Sequence, residues 1–265
     1  MEPGSSAPVC AVVPALDEEV TIGPVVEGAL AYVDEVIVVD NGSRDATAAR
    51  ALAAGARVLP EPRRGYGRAC LTGAHAAPAG SVLVFSDGDG SAEPAALRRL
   101  AAEVLEGRAD LVIGSRARAS QEAGALAVHQ RAGNWLFSAL IRRLWRVPVT
   151  DLGPMRAIRR EDLIALDMRS RTYGWPVEMV VKAARAGLRV AEIPVLARRR
   201  AGGRSKVSGS VRASTLTGLH FAVALVRHGT GRCPSVPPGP GGRGSRSADV
   251  QGRVAPLREG VGESE

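Results

Sequence analysis

Residues 82–89 read VLVFSDGD: four apolar residues in a row, a serine, and two aspartates on either side of a glycine. An apolar run of that length, rich in β-branched and large side chains and closed at once by turn residues, is the pattern of a strand buried on both faces. Such strands belong to sheets covered by helices on two sides. The sequence outward from this stretch agrees. Val9 to Val13, Glu35 to Val39, Arg57 to Leu59 and Leu111 to Ile113 read as further strands. Ala-rich helical patterns lie between them: Thr21, as N-cap, to Tyr32; Asp45 to Ala54; about Gly67 to Ala77; and Pro94 to Leu105. Gly55 and Gly107 stand where helices need a left-handed closing residue.

The second half is less regular. It is expected to hold a helix from about His129 to Trp145, a strand near Met155 to Ile158, and a helix from Val177 to Ala186 closed by Gly187. An extended segment, Leu188 to Leu196, and a last helix from about Ser210 to Arg227 follow. Three regions are expected: a flexible start at 1–8, one domain over 9–228, and a disordered Pro/Gly/Arg-rich tail over 229–265.

The 265 residues suffice for one substantial core. Aromatic residues make up only 3% of the chain, so that core is aliphatic. The formal net charge of +8 points to an anionic partner, whether a small substrate, a membrane surface or nucleic acid. No helix-turn-helix, zinc or RNA-recognition pattern appears, and stacking aromatics are scarce, so nucleic acid is not expected. Cys10, Cys70 and Cys233 form no metal or redox spacing, and the start of the chain has no basic leader. A cytoplasmic protein is expected. The stretch Ala213 to Val226 is too short and polar to span a bilayer; packing on the core is the preferred reading, and lying on a membrane the other.

In an open α/β sheet, ligands bind beyond the carboxyl ends of the strands. Three acidic loops fall there: Pro14 to Glu19, Asp40 to Ser43, and Asp87-Gly88-Asp89. Gly88 lets the backbone approach a ligand while both carboxylates turn to one point, and hard oxygens of this kind suit Mg²⁺ or Mn²⁺ beside a diphosphate. Taken alone, Asp40-Asn41-Gly42-Ser43 reads as an ordinary turn.

The segments VVPALDEE, VVDNGSRDAT, RRGYGRA, FSDGDGSAEP, IGSR, DLGPMRAIRR, YGWPVEM and RRRAGGRSKVSG, in this order, resemble glycosyltransferase family 2, in its dolichyl-phosphate mannose synthase-like branch. The likeness covers about Val9 to Val211. It implies a GT-A fold, a mixed but mostly parallel sheet with helices on both faces, and an inverting, metal-dependent hexosyltransferase that uses a UDP- or GDP-sugar. By the same likeness, Pro14, Leu16, Glu18, Asp40, Arg68, Asp87 and Gly88 would bind the nucleotide-sugar. Asp87 and Asp89 would hold the metal, with Ser91 where relatives supply Gln or His. Arg116, Arg156, Arg200, Ser205 and Lys206 would meet the diphosphate or acceptor.

The acceptor stays open between two chemistries. A hydroxyl acceptor needs a base, for which Asp151 or Glu178 is the candidate. A phosphate acceptor, such as a polyprenyl phosphate or a small soluble phosphorylated molecule, needs only orientation by cations. Tyr173 and Trp175 are either a platform for sugar or isoprenoid or part of the core.

Overall fold

The computed structural model describes residues 7–117, 128–196, 198 and 211–229. Seven strands form one sheet: β1 (Val9–Ala15), β2 (Glu35–Asp40), β3 (Arg57–Pro60), β4 (Val82–Phe85), β5 (Leu111–Ser115), β6 (Arg156–Arg159) and β7 (Val190–Pro194). Their spatial order is β3-β2-β1-β4-β6-β5-β7. β6 is antiparallel to both β4 and β5, and every other pairing is parallel. The expected mixed, mostly parallel sheet is therefore present.

Alternation along each strand builds two cores. Cys10, Val12, Ile37, Val39, Leu83 and Phe85 point to one face. There they meet α3 (Tyr66–Ala76), α5 (Val128–Trp145), α7 (Trp175–Arg185) and α8 (Val211–Gly229). Ala11, Val13, Val36, Val38, Val82 and Val84 point to the other face, against α1 (Ile22–Leu30), α2 (Thr47–Ala53) and α4 (Ala95–Leu105). A short helix, α6 (Arg160–Ala165), was not foreseen, since six residues carry too little period to show. Gly55 and Gly107 do close their helices at φ +97° and +69°. Thr21 does not cap α1 with its side chain; its hydroxyl instead donates to the Gly88 carbonyl at 2.8 Å.

The order of the strands locates the site. From β1 the chain runs outward to β2 and β3, then returns to lay β4 on the other side of β1. Between β1 and β4 the connections part in opposite directions, and a crevice opens at the strands' carboxyl ends. The VLVFSDGD loop empties into that crevice. Because β6 is reversed, the segment that precedes it, 150–155, reaches the same rim as the segments that follow β4 and β5.

Helix α3 lies close to the sheet because Gly73 has no side chain: a Cβ there would stand 2.5 Å from Val12 Cγ1 and 3.1 Å from Val39 Cγ2. Both valines are fully buried and β-branched, so neither turns aside cheaply. Gly73→Ala is expected to lower stability by roughly 1–3 kcal/mol, the usual penalty for overpacking, as read from the urea midpoint at unchanged m-value.

Candidate active site

The first two acidic loops are stitched together by hydrogen bonds. Asp17 N–H donates to Ser43 Oγ (2.9 Å), Glu18 N–H to Thr47 Oγ1 (2.7 Å) and Glu19 N–H to Asp45 Oδ2 (3.2 Å). In return, Arg44 N–H donates to Asp17 Oδ1 (2.8 Å) and Ala46 N–H to Glu19 Oε2 (3.1 Å). These bonds join the segment after β1, with Leu16 and Glu18, to the segment after β2; Pro14 and Asp40 lie at the ends of those two strands. Asp40 Oδ1 also accepts from Ser43 N–H at 3.0 Å, so the DNGS stretch is the turn its residues suggest. Asn41 goes further than a turn residue. Its buried amide donates to the Glu61 and Arg63 carbonyls and accepts from Gly65 N–H, tying the loop after β3 to the loop after β2. Sequence reading missed that role, because an asparagine in a turn is its own sufficient explanation.

The Asp87-Gly88-Asp89 loop folds back over the end of β1. A Cβ on Gly88 would lie 3.2 Å from Ile22 Cδ1 and 3.5 Å from Val13 Cγ1, so the glycine permits the close approach. Asp89 Oδ1 accepts from Ser91 N–H at 3.0 Å, and the Ser91 carbonyl accepts from Arg198 N–H at 3.0 Å. Beside the loop is a cavity of about 190 Å³ that Thr21, Pro24, Asp87, Gly90, Glu93 and Arg198 help to line. The described residues contain no group of three or more His, Cys, Asp or Glu side chains able to hold a metal. Two carboxylates on a held loop still fit a hard cation that completes its shell with water and diphosphate oxygens, as Mg²⁺ does.

Arg116 follows β5, and Asp151 precedes the reversed β6; the sheet brings them together. Arg116 Nε and Nη2 donate to the two oxygens of Asp151, each at 2.8 Å, and Arg116 N–H adds a third bond at 2.8 Å. Asp151 is 1% exposed. Burial alone would raise its carboxyl, but the hydrogen bonds and charge of Arg116 prevail and hold it below the usual range. Asp87 and Asp89 also act on the Arg116 guanidinium, which places it within their field. The turn is fixed from beneath by Glu192 of β7, which accepts from Thr150 N–H (2.6 Å), the Thr150 hydroxyl (2.7 Å) and Asp151 N–H (3.0 Å).

Several expectations are corrected by this geometry. As a base, Asp151 would need an oxygen open to an acceptor proton, and both are bonded to Arg116. Glu178 is fully buried, and its oxygens accept from Arg169 N–H (2.7 Å) and Ser170 N–H (2.6 Å), with Lys182 Nζ 2.8 Å away. Burial pushes the Glu178 carboxyl upward, but those donors outweigh it and leave the group below its ordinary value. Glu178 therefore organises the start of α7. Arg156, read as an acceptor cation, is 1% exposed and donates to the Gly153 carbonyl (2.6 Å) and the Pro176 carbonyl (2.8 Å). It joins the 150–155 turn to α7 from below. Arg68, with Thr72 and His75 of α3, lines a groove of about 640 Å³ along β3 that Pro60, Glu61 and Arg63 also border. Trp175 is core, edge-on to Phe85, whereas half-buried Tyr173 stacks on Tyr66 at 6.1 Å. Arg200, Ser205 and Lys206 lie outside the described residues.

The Glycosyl transferase family 2 model matches residues 10–166. An uncharacterized glycosyltransferase of Mycobacterium bovis is 42% identical over 217 residues, which cover 80% of this chain and 95% of that protein. A dolichyl-phosphate hexose transferase of Haloferax volcanii is 34% identical over 190 residues, 70% of this chain and 81% of that one. The crystal structure of glucosyl-3-phosphoglycerate synthase from Mycobacterium tuberculosis with Mn²⁺, UDP and phosphoglyceric acid is similar at a TM-score of 0.66. It is 25% identical and covers 84% of this chain and 78% of its own.

Removing one partner of a buried ion pair leaves the other charge uncompensated. Asp151→Asn is expected to cost about 3 kcal/mol, the low end for such a loss because Arg116 keeps some contact with water. The folded-state pKa of Asp151 is depressed, so its contribution is present above the unfolded pKa and is lost as pH falls through the folded one. Urea unfolding from neutral to acidic pH should accordingly show the gap between wild type and Asp151→Asn closing below the ordinary carboxylate range. A gap independent of pH would show that the pair does not carry the difference.

Proposed function

The chain belongs to glycosyltransferase family 2 and has the GT-A fold, and on that premise we propose that it moves a hexose, with inversion, from a UDP- or GDP-sugar to the phosphate of a polyprenyl phosphate. The observation that carries this reading is the pairing of both candidate bases. A hydroxyl acceptor must give its proton to a positioned group, and the oxygens of Asp151 and Glu178 are already engaged. A phosphate arrives as an anion and needs only orientation and neutralising charge. Arg116 is a described cation in the field of the two acidic residues of the DGD loop, Arg198 lines the cavity beside Asp87, and in this proposal Arg200, Ser205 and Lys206 join them.

In the same proposal, Pro14, Leu16, Glu18 and Asp40 hold the nucleoside against the stitched loops. Gly88 brings backbone close to the diphosphate. Asp87 and Asp89 hold Mg²⁺ or Mn²⁺, with Ser91 beside them; when bound, the cation neutralises the leaving diphosphate. The acceptor oxygen attacks the anomeric carbon from the face opposite the departing oxygen. The only described free cysteines, Cys10 and Cys70, are buried, which accords with a cytoplasmic chain. No helix among the described residues is long and apolar enough to cross a membrane.

A second reading, transfer to a small soluble phosphorylated acceptor, is favoured by the likeness to the synthase solved with phosphoglyceric acid. The two differ in the attacking group: a polyprenyl phosphate attacks through a phosphate oxygen, whereas a phosphoglycerate can also attack through its hydroxyl, which would need a base. Assays with UDP- and GDP-sugars and Mn²⁺ should give product with polyprenyl phosphate and none with the matching polyprenol. Product from 3-phosphoglycerate alone would select the second reading, and equal transfer to phosphate-free alcohols would refute both. Asp89→Ala should reduce turnover by about a hundredfold or more and abolish metal-dependent nucleotide binding in calorimetry.

A further inference from the structure

Two helices of the second half present an apolar surface that no described residue covers. On α5, Leu136, Leu140 and Leu144 recur every fourth residue, with Trp135 beside the first. On α8, Leu219, Val223 and Val226 form a similar stripe. These six aliphatic side chains leave 40–75% of their surface in solvent, and Trp135 leaves 66%. The helices lie side by side and run parallel: Phe137 meets Phe221 edge-on at 5.4 Å, and eight residues farther along each helix Trp145 lies against Gly229. Both pack on α7, Ile141 of α5 and Leu225 of α8 being buried in the core on that side, so both stripes look away from the body of the protein.

Charge selects the occupant. Neither α5 nor α8 contains an aspartate or glutamate. Arg143, Arg146 and Arg227 are exposed at the ends of the two helices, and among the described residues no carboxylate pairs with them. A second copy docked across a two-fold axis would set these arginines in one basic field with no described carboxylate of the two helices to neutralise it. An apolar strip with an exposed tryptophan, a basic margin and no acids matches the boundary layer of a negatively charged bilayer, where apolar side chains enter the acyl region and arginines stay with the headgroups.

We propose that α5 and α8 together form a docking surface for anionic membranes, on which the protein lies without spanning. The proposal fits the lipid acceptor but does not depend on it, because vesicle binding and sugar transfer are measured separately. The full chain would be floated with phosphatidylcholine vesicles, with and without phosphatidylglycerol. Binding is expected to the anionic vesicles, and to fall by roughly tenfold or more in the double variant Leu140→Glu, Val223→Glu, with nucleotide binding and Tm retained. Should that variant be unfolded, Trp135→Phe keeps an apolar residue at the surface: brominated phosphatidylglycerol should quench wild-type fluorescence more strongly than that of Trp135→Phe. The proposal is overturned if wild type ignores anionic vesicles, if the Leu140/Val223 variant binds as well as wild type, if quenching does not change, or if the same substitutions dissolve a stable dimer.

Discussion

A strand that runs against its neighbours brings its beginning to the rim where they end. β6 enters the sheet between β4 and β5 in that sense, with Arg156 opposite both Phe85 and Ile113. Three segments distant in sequence therefore converge: the DGD loop after β4, Arg116 after β5, and the 150–155 turn before β6. The Arg116–Asp151 pair is a product of that reversal. Were β6 parallel, Asp151 would lie at the opposite edge of the sheet, and Arg116 would have to find another partner or stay with water. The sheet also leaves the turn little freedom, because Glu192 on β7 takes the hydrogens of Thr150 and Asp151 from below.

The rim shows a division of charge. Asp151 and Glu178, the two most deeply buried carboxylates among the described residues, each accept several hydrogen bonds, as the high cost of an unpaired buried charge requires. Buried Arg156 has carbonyls at two of its nitrogens and no partner at Nε, so burial draws its pKa down. The loop that carries Asp87 and Asp89 is fixed by three bonds: the Thr21 hydroxyl to the Gly88 carbonyl, the Ser91 amide to Asp89 Oδ1, and the Arg198 amide to the Ser91 carbonyl. Asp89 takes part in this bracing through its own Oδ1, so the loop is set in shape before any ligand arrives, which is the preorganisation that binding favours.

Periodicity made most of the fold legible, and the limits of periodicity explain what was not. Strands such as Val82–Phe85 and helices such as Ala95–Leu105 state their type through burial pattern and closing glycine, and both were read within a residue of their bounds. The direction of β6 has no such signature, since RAIR reads alike in either sense. Misreadings at the site share a second cause: sequence displays the charge of Asp151, Arg156 and Glu178 but not the partner. For Glu178 a signal did exist, because Lys182 stands four residues on, the spacing at which a helix sets an acid over a base. For Asp151 none did, as its partner lies 35 residues away and meets it only through the reversed strand.

The same contacts that withdraw Glu178 and Arg156 from chemistry relate the rim to the apolar helices. Arg156 joins Gly153 in the turn to Pro176 at the start of α7. Glu178 binds the amides before α7 and lies 3.5 Å from His228 Nδ1 on α8. Lys182 donates to the Asp167 carbonyl, and Arg185 to the carbonyl of His228, both at 2.5 Å. Helix α7 is thus bonded at one end to the turn that positions Arg116 and along its length to the helix that carries half of the apolar surface. A chain of buried polar contacts is costly to leave half made, so these pieces are held in a common frame. In the proposed docking on a membrane, that frame would fix the height of the reacting centre above the plane, a quantity that solvent-exposed loops alone would leave to vary.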